Sequence, residues 1–431
     1  ELMDQAIKLA TTTLEHGTIL VASAMGSTTD NLQSVADIAG TGQEQEALQL
    51  ANQIQSGYLD LATSMLVGDT LEKVRKELDV LFDELRSIVT GISLLKPRTP
   101  SSNDAILGFG ELATTILLTA RSQQQGIETL LLDSYKIITT DNHFMRATVL
   151  QPETTERIRS MVKNNNNQLL VAQGFISATK EGLKTTLGRG GSDYTATLFG
   201  AALNASEVII WTDVTGIMTC DPKIVKKART LHQISYQEAA ELAYFGARVI
   251  HPETIQPAVK KDIPVIVRNT WQPNTPGTEI NKRMIPGAKA IACKRHITLI
   301  NVTSSRMLLA YGFLRRIFEI FELHQTPVDL VTTSEVSVSM TIDSDTYLQA
   351  IVTDLKKVGS VSVDDDVGLI SIIGHDLWDQ YNFLKRTMNA LKEIPLKMMS
   401  LGSSDINLSI VVADSATETA VSSLHRDFFE K

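Results

Sequence analysis

Thr18-Ile-Leu-Val-Ala-Ser-Ala24 decides the fold class, because a short apolar run ending in small residues is what a parallel strand buried on both faces requires. The stretch before it, Met3 to Leu14, has apolar residues at helical spacing, so a helix feeds a strand and an α/β pattern begins. The alternation continues downstream. Helical spacing runs from Glu44 to Val89, with a break at Val67-Gly68-Asp69-Thr70 where Asp69 or Thr70 could cap the second segment, and this reads as a helical insertion or lid. After Lys96-Pro-Arg-Thr-Pro100, a cap-like Ser102-Asn103-Asp104 predicts a long helix to about Gln125, and Thr129 to Asp133 predicts a strand. Pro152 suits the first turn of a helix ending near Asn164-Asn-Asn-Asn167, which resembles a solvated turn, and the strand Gln168 to Gln173 follows. Glu207 to Thr212 and Pro264 to Arg268 are further strand-like runs, with helices starting near Asp193 and Tyr236. Residues 1–283 are therefore expected to form one large α/β domain with a mainly parallel sheet flanked by helices.

From about Ala288 the order becomes strand, helix, two strands, helix, strand, and then begins again. The first βαββαβ unit covers about 297–365: Ile297, a helix from Gly312 to Gln325, a strand pair around Ser334, a helix from Thr346 to Val358, and a strand near Val361. The second covers about 366–431, with the strand Val367 to Ile373, the helix Trp378 to Leu391, strands near Lys397 and Leu408, and the helix Thr417 to Glu430. It lacks a closing strand, and residues 289–294 offer a spare one. An exchange of strands between the two units within 284–431 is expected.

Composition bounds the function. A chain of 431 residues exceeds the roughly 250 to 300 that a single core holds, so two or three domains are expected. Hydrophobic residues at 43% and charged residues at 21% are those of a globular protein rather than a disordered one. No run reaches the roughly 18 to 20 apolar residues needed to span a bilayer, and Glu1-Leu2-Met3-Asp4 lacks the features of a signal peptide, so neither membrane insertion nor export is expected. Lys and Arg number 40 against 49 Asp and Glu, a net charge of −9 with no dense basic stretch, which argues against nucleic acid. Cys220 and Cys293 form no CxxC pair and cannot build a zinc site, which suits a reducing cytoplasm.

The chemistry concentrates in glycine-bearing loops. Thr185-Thr-Leu-Gly-Arg-Gly-Gly-Ser-Asp193 places three glycines, Arg189 and a cap-capable Ser192-Asp193 pair just before a helix. Backbone N–H groups and the helix dipole favour a phosphate or carboxylate there, and Arg189 adds a bidentate fork. A plain glycine turn with a helix cap is the alternative. The segment is neither a P-loop nor a GxGxxG loop, since Asp193 stands at the last glycine position. Ser23-Ala-Met-Gly-Ser-Thr-Thr-Asp-Asn31 is a second anion-friendly turn, and a cap for the next helix would explain it equally. Gly110-Glu-Leu-Ala-Thr-Thr115 puts Glu111 in an apolar helix, where a carboxylate needs a cation, such as a substrate ammonium, or solvent. Thr212-Asp-Val-Thr-Gly-Ile-Met-Thr-Cys-Asp-Pro-Lys223 follows a buried strand, where open α/β sheets form ligand crevices, although a structural loop fits as well. His425-Arg-Asp427 spells a kinase catalytic triplet without its companion motifs and is expected on a helix surface.

Ser23-Ala-Met-Gly26, Gly110-Glu-Leu112, Gly188-Arg-Gly-Gly-Ser-Asp193, Trp211-Thr-Asp213, Phe245-Gly-Ala247 and His251-Pro252 together resemble the aspartokinases of the amino-acid kinase fold, in order and in spacing. The repeat from Ile297 resembles the tandem ACT module of such enzymes, most clearly at Gly312-Phe-Leu314 and Val328 to Val338. The resemblance implies transfer of the ATP γ-phosphoryl group to the side-chain carboxylate of L-aspartate, with Mg²⁺ on the nucleotide phosphates and no metal ligands from the protein. That reaction opens the route to lysine, threonine and methionine. By position, Arg189 and Ser192 would hold aspartate carboxylates with Ser23 and Thr29, Glu111 would bind the ammonium, and Asp193 would organise the reaction centre. Thr212, Asp213, Met218, Lys223 and Arg248 would line the nucleotide site, with Met218 and Arg248 replacing a common tyrosine and lysine. Family members open with a Lys-Phe-Gly-Gly-Thr-Ser strand whose lysine faces the phosphoryl group, and such a stretch is expected ahead of Glu1. No dinucleotide loop follows the second repeat, as in the monofunctional members. A kinase for another amino acid, or a non-catalytic amino-acid sensor, are the competing readings.

Similarity to lysine-sensitive members implies L-lysine as effector, bound by Met307, Gly312, Phe313, Leu314, Val328, Asp329, Ser334 and Glu335. A glycine opening a helix offers N–H groups to an α-carboxylate, and a strand is expected to return Asp329, Ser334 and Glu335 near that helix N-terminus to meet ammonium groups. An ACT core with surface acids is the alternative, and Ala310 lacks a hydroxyl expected at its position. ACT units also imply a homodimer, or a tetramer, through this region.

Overall fold

The computed structural model describes residues 1–13, 17–96, 98–163, 168–246, 249–304, 311–401 and 405–430. The chain divides into two compact units: residues 1–213 with 253–266 and 270–273, and residues 214–252 with 267–269 and 274–431.

The first unit opens with α1 (Leu2–Thr11), β1 (Ile19–Ala22), α2 (Thr28–Thr41), α3 (Glu44–Met65), α4 (Gly68–Leu95), α5 (Pro100–Leu107), α6 (Phe109–Gln124) and β2 (Thr129–Leu132). It continues through α7 (Ser134–Ile137), β3 (Thr139–Thr140), α8 (Gln151–Val162), β4 (Leu169–Gln173), β5 (Ile176–Thr179), β6 (Lys184–Thr186), α9 (Gly191–Leu203) and β7 (Val208–Thr212). β4 lies between β1 and β2 in a parallel sheet, with Ile19 opposite Leu170 and Thr129 opposite Leu169. Successive strand residues point to opposite faces, and both faces are covered. Leu169 and Val171 join a core built from α1, α2, α3, α4 and α6, while Leu170 and Ala172 join another with Ile158 of α8 and Leu198 of α9. All five residues of β4 are buried, as a central strand requires. β5 pairs in parallel with β3 and antiparallel with β6, a hairpin that the apolar pattern does not announce.

Three local expectations change. The α3–α4 pair is core rather than lid: Tyr58 and Phe82 are buried, and the Tyr58 hydroxyl donates to the Gly110 carbonyl at 3.1 Å. Val67, not Asp69 or Thr70, is the N-cap of α4, and it makes no side-chain cap bond. The expected long helix begins earlier and breaks once. Thr99 and Ser102 form a capping box for α5, and Gly108 stands between α5 and α6, where a Cβ would lie 2.2 Å from the Tyr135 hydroxyl. Asp104 turns inward instead of capping, accepting the Met145 N–H at 2.7 Å and the Thr186 hydroxyl at 2.7 Å. The Asn164 to Asn167 turn lies outside the described residues.

The later elements are β8 (Gln233–Ser235), α10 (Tyr236–Tyr244), α11 (Gln256–Lys261), β9 (Val265–Asn269) and β10 (Thr278–Asn281). α11 belongs to the first unit; β8, α10 and β10 belong to the second. The Ser235–Glu238 capping box starts α10 where the sequence places it. The rest of the second unit is β11 (Gly287–Thr303), α12 (Phe313–Leu323), β12 (Leu330–Thr333), β13 (Ser337–Ile342), α13 (Leu348–Leu355), β14 (Ser360–His375), α14 (Phe383–Ala390), β15 (Leu396–Ser400), β16 (Asn407–Ala413) and α15 (Thr417–Phe429). These strands form one six-stranded antiparallel sheet, in the order β12-β13-β11-β14-β16-β15. The strands read as separate at 289–294 and 297 are the single strand β11, and those near 361 and 367–373 are the single strand β14. Ala290 to Lys294 pairs with Ile373 to Leu369, and Leu299 to Thr303 with Asp364 to Ser360, so each repeat completes the other. A register shift between Lys294 and Ile297 marks the crossing.

His425 is a correction. It is fully buried in α15, its Nε2 2.9 Å from the Thr219 hydroxyl and its Nδ1 3.1 Å from Glu430. Both cysteines are free, and burial pushes the Cys220 thiol up to about 12 and Cys293 up to about 11, so both are inert thiols at neutral pH. Among the described residues, no helix is long and apolar enough to cross a membrane.

Candidate active site and effector region

The C-terminal ends of β1 and β4 and the entry to α9 meet in the first unit, the place where parallel sheets hold ligands. The Gly174 N–H donates to the Ala22 carbonyl at 2.8 Å, which joins the two strand ends. Gly174 is also flush against Ser192: a Cβ there would stand 2.7 Å from the Ser192 Cα. Only glycine permits that approach. Past β1, the Ala24 N–H donates to Glu111 Oε1 at 3.1 Å, and Gly110 leaves room for Ala24, whose Cβ would lie 2.6 Å from an added one. Ser23, Glu111 and Ser192 are thus tied to one region of the first unit, and Thr29 stands in the first turn of α2, which follows.

Glu111 occupies the first turn of α6 and is only 3% exposed. Its Oε2 is buried with no hydrogen-bond partner, and no cation pairs with it among the described residues. Burial pushes its carboxyl up to about 7, against the opposing Ala24 N–H. A carboxylate so placed is a socket for a cation.

The loop ahead of α9 turns on glycines in the left-handed region, Gly188 at φ 74° and Gly190 at φ 71°. Gly190 is the N-cap of α9, and no side chain caps that end. Ser192 and Asp193 lie inside the first turn, so the plain cap reading is not realised and the helix N-terminus stays open to an anion. Arg189 is exposed and makes no described hydrogen bond or ion pair. Asp193 likewise has no described partner, and burial pushes its carboxyl up to about 6.

Sequence reasoning missed the supports. Gln173 accepts the Ser134 N–H at 2.9 Å and donates to Thr115 at 3.1 Å, pinning the end of β4 to α6. Lys184 pairs with Glu84 at 2.6 Å and lies 5.0 Å from the Phe109 ring centroid, bracing the strand that leads into the glycine loop. The partners are 58 and 100 residues apart, beyond any local signal.

Thr212 and Asp213 end β7 in the first unit, where the Thr212 hydroxyl donates to Asp213 at 3.0 Å. Met218 and Lys223 belong to the second unit; Met218 bridges to Thr230, and the Lys223 N–H donates to Asp221 at 2.8 Å. Arg248 and Met307 lie outside the described residues.

In the effector region, Gly312 (φ 75°) precedes α12, Phe313 is buried in the first repeat's core and Leu314 is exposed. Ser334 and Glu335 form the exposed β12–β13 turn beside Ser304, whose N–H donates to the Val336 carbonyl at 2.8 Å. Val328 and Asp329 stand at the other end of β12, where the Asp329 N–H donates to the Thr341 carbonyl at 2.9 Å. The strand therefore does not return Asp329 to the end holding Ser334 and Glu335. At about 3.3 Å per residue, an extended strand keeps five residues roughly 17 Å apart. Asp329 instead meets Lys294 and Tyr244, each at 3.0 Å. Burial, reinforced by the Asp343 carboxyl, raises its pKa to about 6 despite Lys294. Two His–Asp clusters could hold a cation among the described residues, both in the second unit, and in one of them Arg295 already pairs with Asp414 at 2.5 Å.

The amino acid kinase family pattern matches residues 2–269, and an ACT domain pattern matches residues 370–428. The chain is 34% identical over 426 residues to the lysine-sensitive aspartokinase 3 of Escherichia coli, covering 96% of this chain and 92% of that protein. Aspartokinase 1, chloroplastic, of Arabidopsis thaliana is 33% identical over 452 residues, covering 100% of this chain and 78% of that protein. Two solved structures of E. coli aspartokinase III, one in complex with aspartate and ADP (R-state) and one with lysine and aspartate (T-state), each superpose with a TM-score of 0.83 at 33% identity. Each covers 99% of this chain and 96% of that one.

Proposed function

Because the chain belongs to the amino acid kinase family and is an aspartate kinase with an ACT region, we propose that the end of β1, the first turn of α6 and the loop before α9 bind L-aspartate for phosphoryl transfer from ATP. The observation that carries this reading is Glu111, a buried carboxylate with an orphaned oxygen and no described cation, set beside the turn that holds Ser23. An α-ammonium satisfies it. Arg189 and Ser192 then take carboxylate oxygens with Ser23 and Thr29, while the open N-terminus of α9 adds N–H donors. Two anions, a carboxylate and a triphosphate, must approach in line, so the protein's work is to place donors and cations where negative charge accumulates. Thr212, Asp213, Met218, Lys223 and Arg248 are assigned to the nucleotide. Mg²⁺ would neutralise its phosphates when bound, and Asp193, an oxygen donor without a described partner, suits the metal-facing side of the reaction centre.

The test is coupled ADP release with L-aspartate across pH. Glu111 binds an ammonium only as the carboxylate, and its carboxyl sits up at about 7. Below that pH the protonated form dominates, so the apparent KM for aspartate is expected to rise by about tenfold per unit of pH lost, and to level off above it. Glu111→Gln is expected to bind aspartate weakly at every pH and to lose the break near neutrality. A break unchanged in that variant would remove Glu111 from the ammonium site.

Residues 1–283 are assigned as the kinase domain and 284–431 as the tandem ACT module, with L-lysine as its effector. β12 and β15 are the end strands of the sheet and lie against each other within the chain, so the pairing of ACT units between copies is taken from the resemblance to such modules. A closed homodimer through 284–431, or a pair of such dimers, is expected in sedimentation at micromolar concentration. A monomer with and without lysine would contradict it.

A further inference from the structure

Asp329 is already occupied by the protein itself. Lys294 Nζ lies 3.0 Å from its Oδ1 and 2.8 Å from Asp343 Oδ2, and 4.7 Å from the centroid of the Tyr244 ring. The Tyr244 hydroxyl donates to the same Oδ1 at 3.0 Å. The Asp329 side chain is 6% exposed, and its Oδ2 is buried without a hydrogen-bond partner among the described residues. One carboxylate therefore serves an internal ammonium and a tyrosine hydroxyl, with the Asp343 carboxyl close enough to raise its pKa.

Tyr244 is the last residue of α10, and that end of the helix rests on the sheet. Gly246, at φ 119°, has no room for a Cβ, which would lie 2.7 Å from the Cys293 carbonyl of β11. Earlier in the helix, Glu241 accepts from Asn407 of β16. α10 is thus hydrogen-bonded to the first repeat through Tyr244 and to the second through Glu241. Its chain leads directly into residues 247 and 248, where Arg248 is assigned to the nucleotide.

The geometry points to Lys294 as a built-in occupant of the effector's carboxylate and to Tyr244 as the positioning residue that carries the state of Asp329 to α10. This rests on the reading of Asp329 as a contact for the effector's ammonium. A second ammonium at Asp329 meets the charge of Lys294 in a site with little water, where like charges disfavour each other. Lys294 can leave Asp329 without losing every partner: it is already bonded to Asp343, whose side chain is 47% exposed. Effector binding thereby exchanges one ammonium for another at Asp329, leaves Lys294 on Asp343 alone and reshapes the seat of the Tyr244 ring and hydroxyl. A ligand shifts a conformational equilibrium only through such a difference in contacts between two states.

The experiment measures L-lysine binding by calorimetry and its inhibition of aspartate phosphorylation side by side, on the full chain. Lys294→Met, which keeps the aliphatic stem but removes the competing charge, is expected to bind lysine at least about tenfold more tightly, while Lys294→Arg binds it within about threefold of the parent. Tyr244→Phe alters one half-exposed hydroxyl; it is expected to bind lysine within about threefold, yet lose at least about fivefold of the inhibition, the low end of ordinary allosteric coupling. Unchanged or weaker binding in Lys294→Met would overturn the competition, and full inhibition in Tyr244→Phe would overturn the link. Lysine that fails to bind the parent chain at all would overturn the effector assignment beneath both, a result distinct from either.

Discussion

Arg189→Ala is expected to lower the turnover of aspartate phosphorylation by about 10² to 10³-fold, the usual consequence of losing one donor aimed at developing or transferring negative charge. The side chain is exposed and makes no described contact, so its removal has little to disturb in the fold. It stands between two left-handed glycines, in the loop that leads into the N-terminus of α9. Arg189→Lys keeps the charge without the planar fork and is expected to fall between the parent and the alanine variant. Steady-state kinetics by ADP release, with a thermal melt on each variant, separates chemistry from folding. Near-normal turnover in Arg189→Ala with an unshifted melt would remove this residue from the site.

The second large effect is regulatory. L-lysine is expected to inhibit, and Glu335→Ala is expected to abolish most of that response, a loss between about 5-fold and 150-fold in the ratio of uninhibited to inhibited rate. Glu335 stands exposed on the β12–β13 turn, where Ser334 is organised by Ser337 through a hydroxyl pair at 2.7 Å. A carboxylate held in water on a tight turn is suited to an ammonium arriving from solution; because Glu335 and Asp329 stand at opposite ends of β12, about 17 Å or more apart along the strand, both act on one lysine only where two copies of the chain meet in the expected dimer. Rates measured with and without lysine, and with threonine as a control, decide the matter. Inhibition by threonine alone, or full lysine sensitivity in Glu335→Ala, would show that the effector is bound elsewhere.

Much of the candidate site was legible because its parts are local. The glycines of 188–191 announce a turn that needs left-handed backbone, and Arg189 among them has no structural work to do, which is how a ligand-facing residue reads in one dimension. Glu111 was visible as a carboxylate in an apolar helix, and the structure adds that no described cation answers it. What keeps these residues together was not legible. The fit of Gly174 against Ser192, the Ala24 bond to Glu111 and the Gln173 bond to Thr115 join positions 18, 87 and 58 residues apart.

The repeats show the same division. From sequence, strands are expected at 289–294 and from Ile297, and near Val361 and from Val367, with the charged residues Arg295-His296 and Asp364-Asp-Asp366 between them. In the sheet these charges are matched across the chain, Arg295 with Asp414 and His296 with Asp366, and the strands run on as β11 and β14. His425 reads as surface and is buried, because Thr219, 206 residues away, satisfies its ring.

Sequence alone determined the order and kind of most elements and the residue types at the loops, since apolar periodicity, caps and glycines act within a few residues, but not the β5–β6 hairpin, the break between α5 and α6 or the continuity of β11 and β14. Tertiary structure alone decided which charges are answered and which are left open. Glu111 has no described cation, whereas Asp329, read from sequence as equally available, is held by Lys294 and Tyr244, which lie 35 and 85 residues from it along the chain. A buried carboxylate must find its partner wherever the fold delivers one, and that pairing is a property of packing, not of spacing.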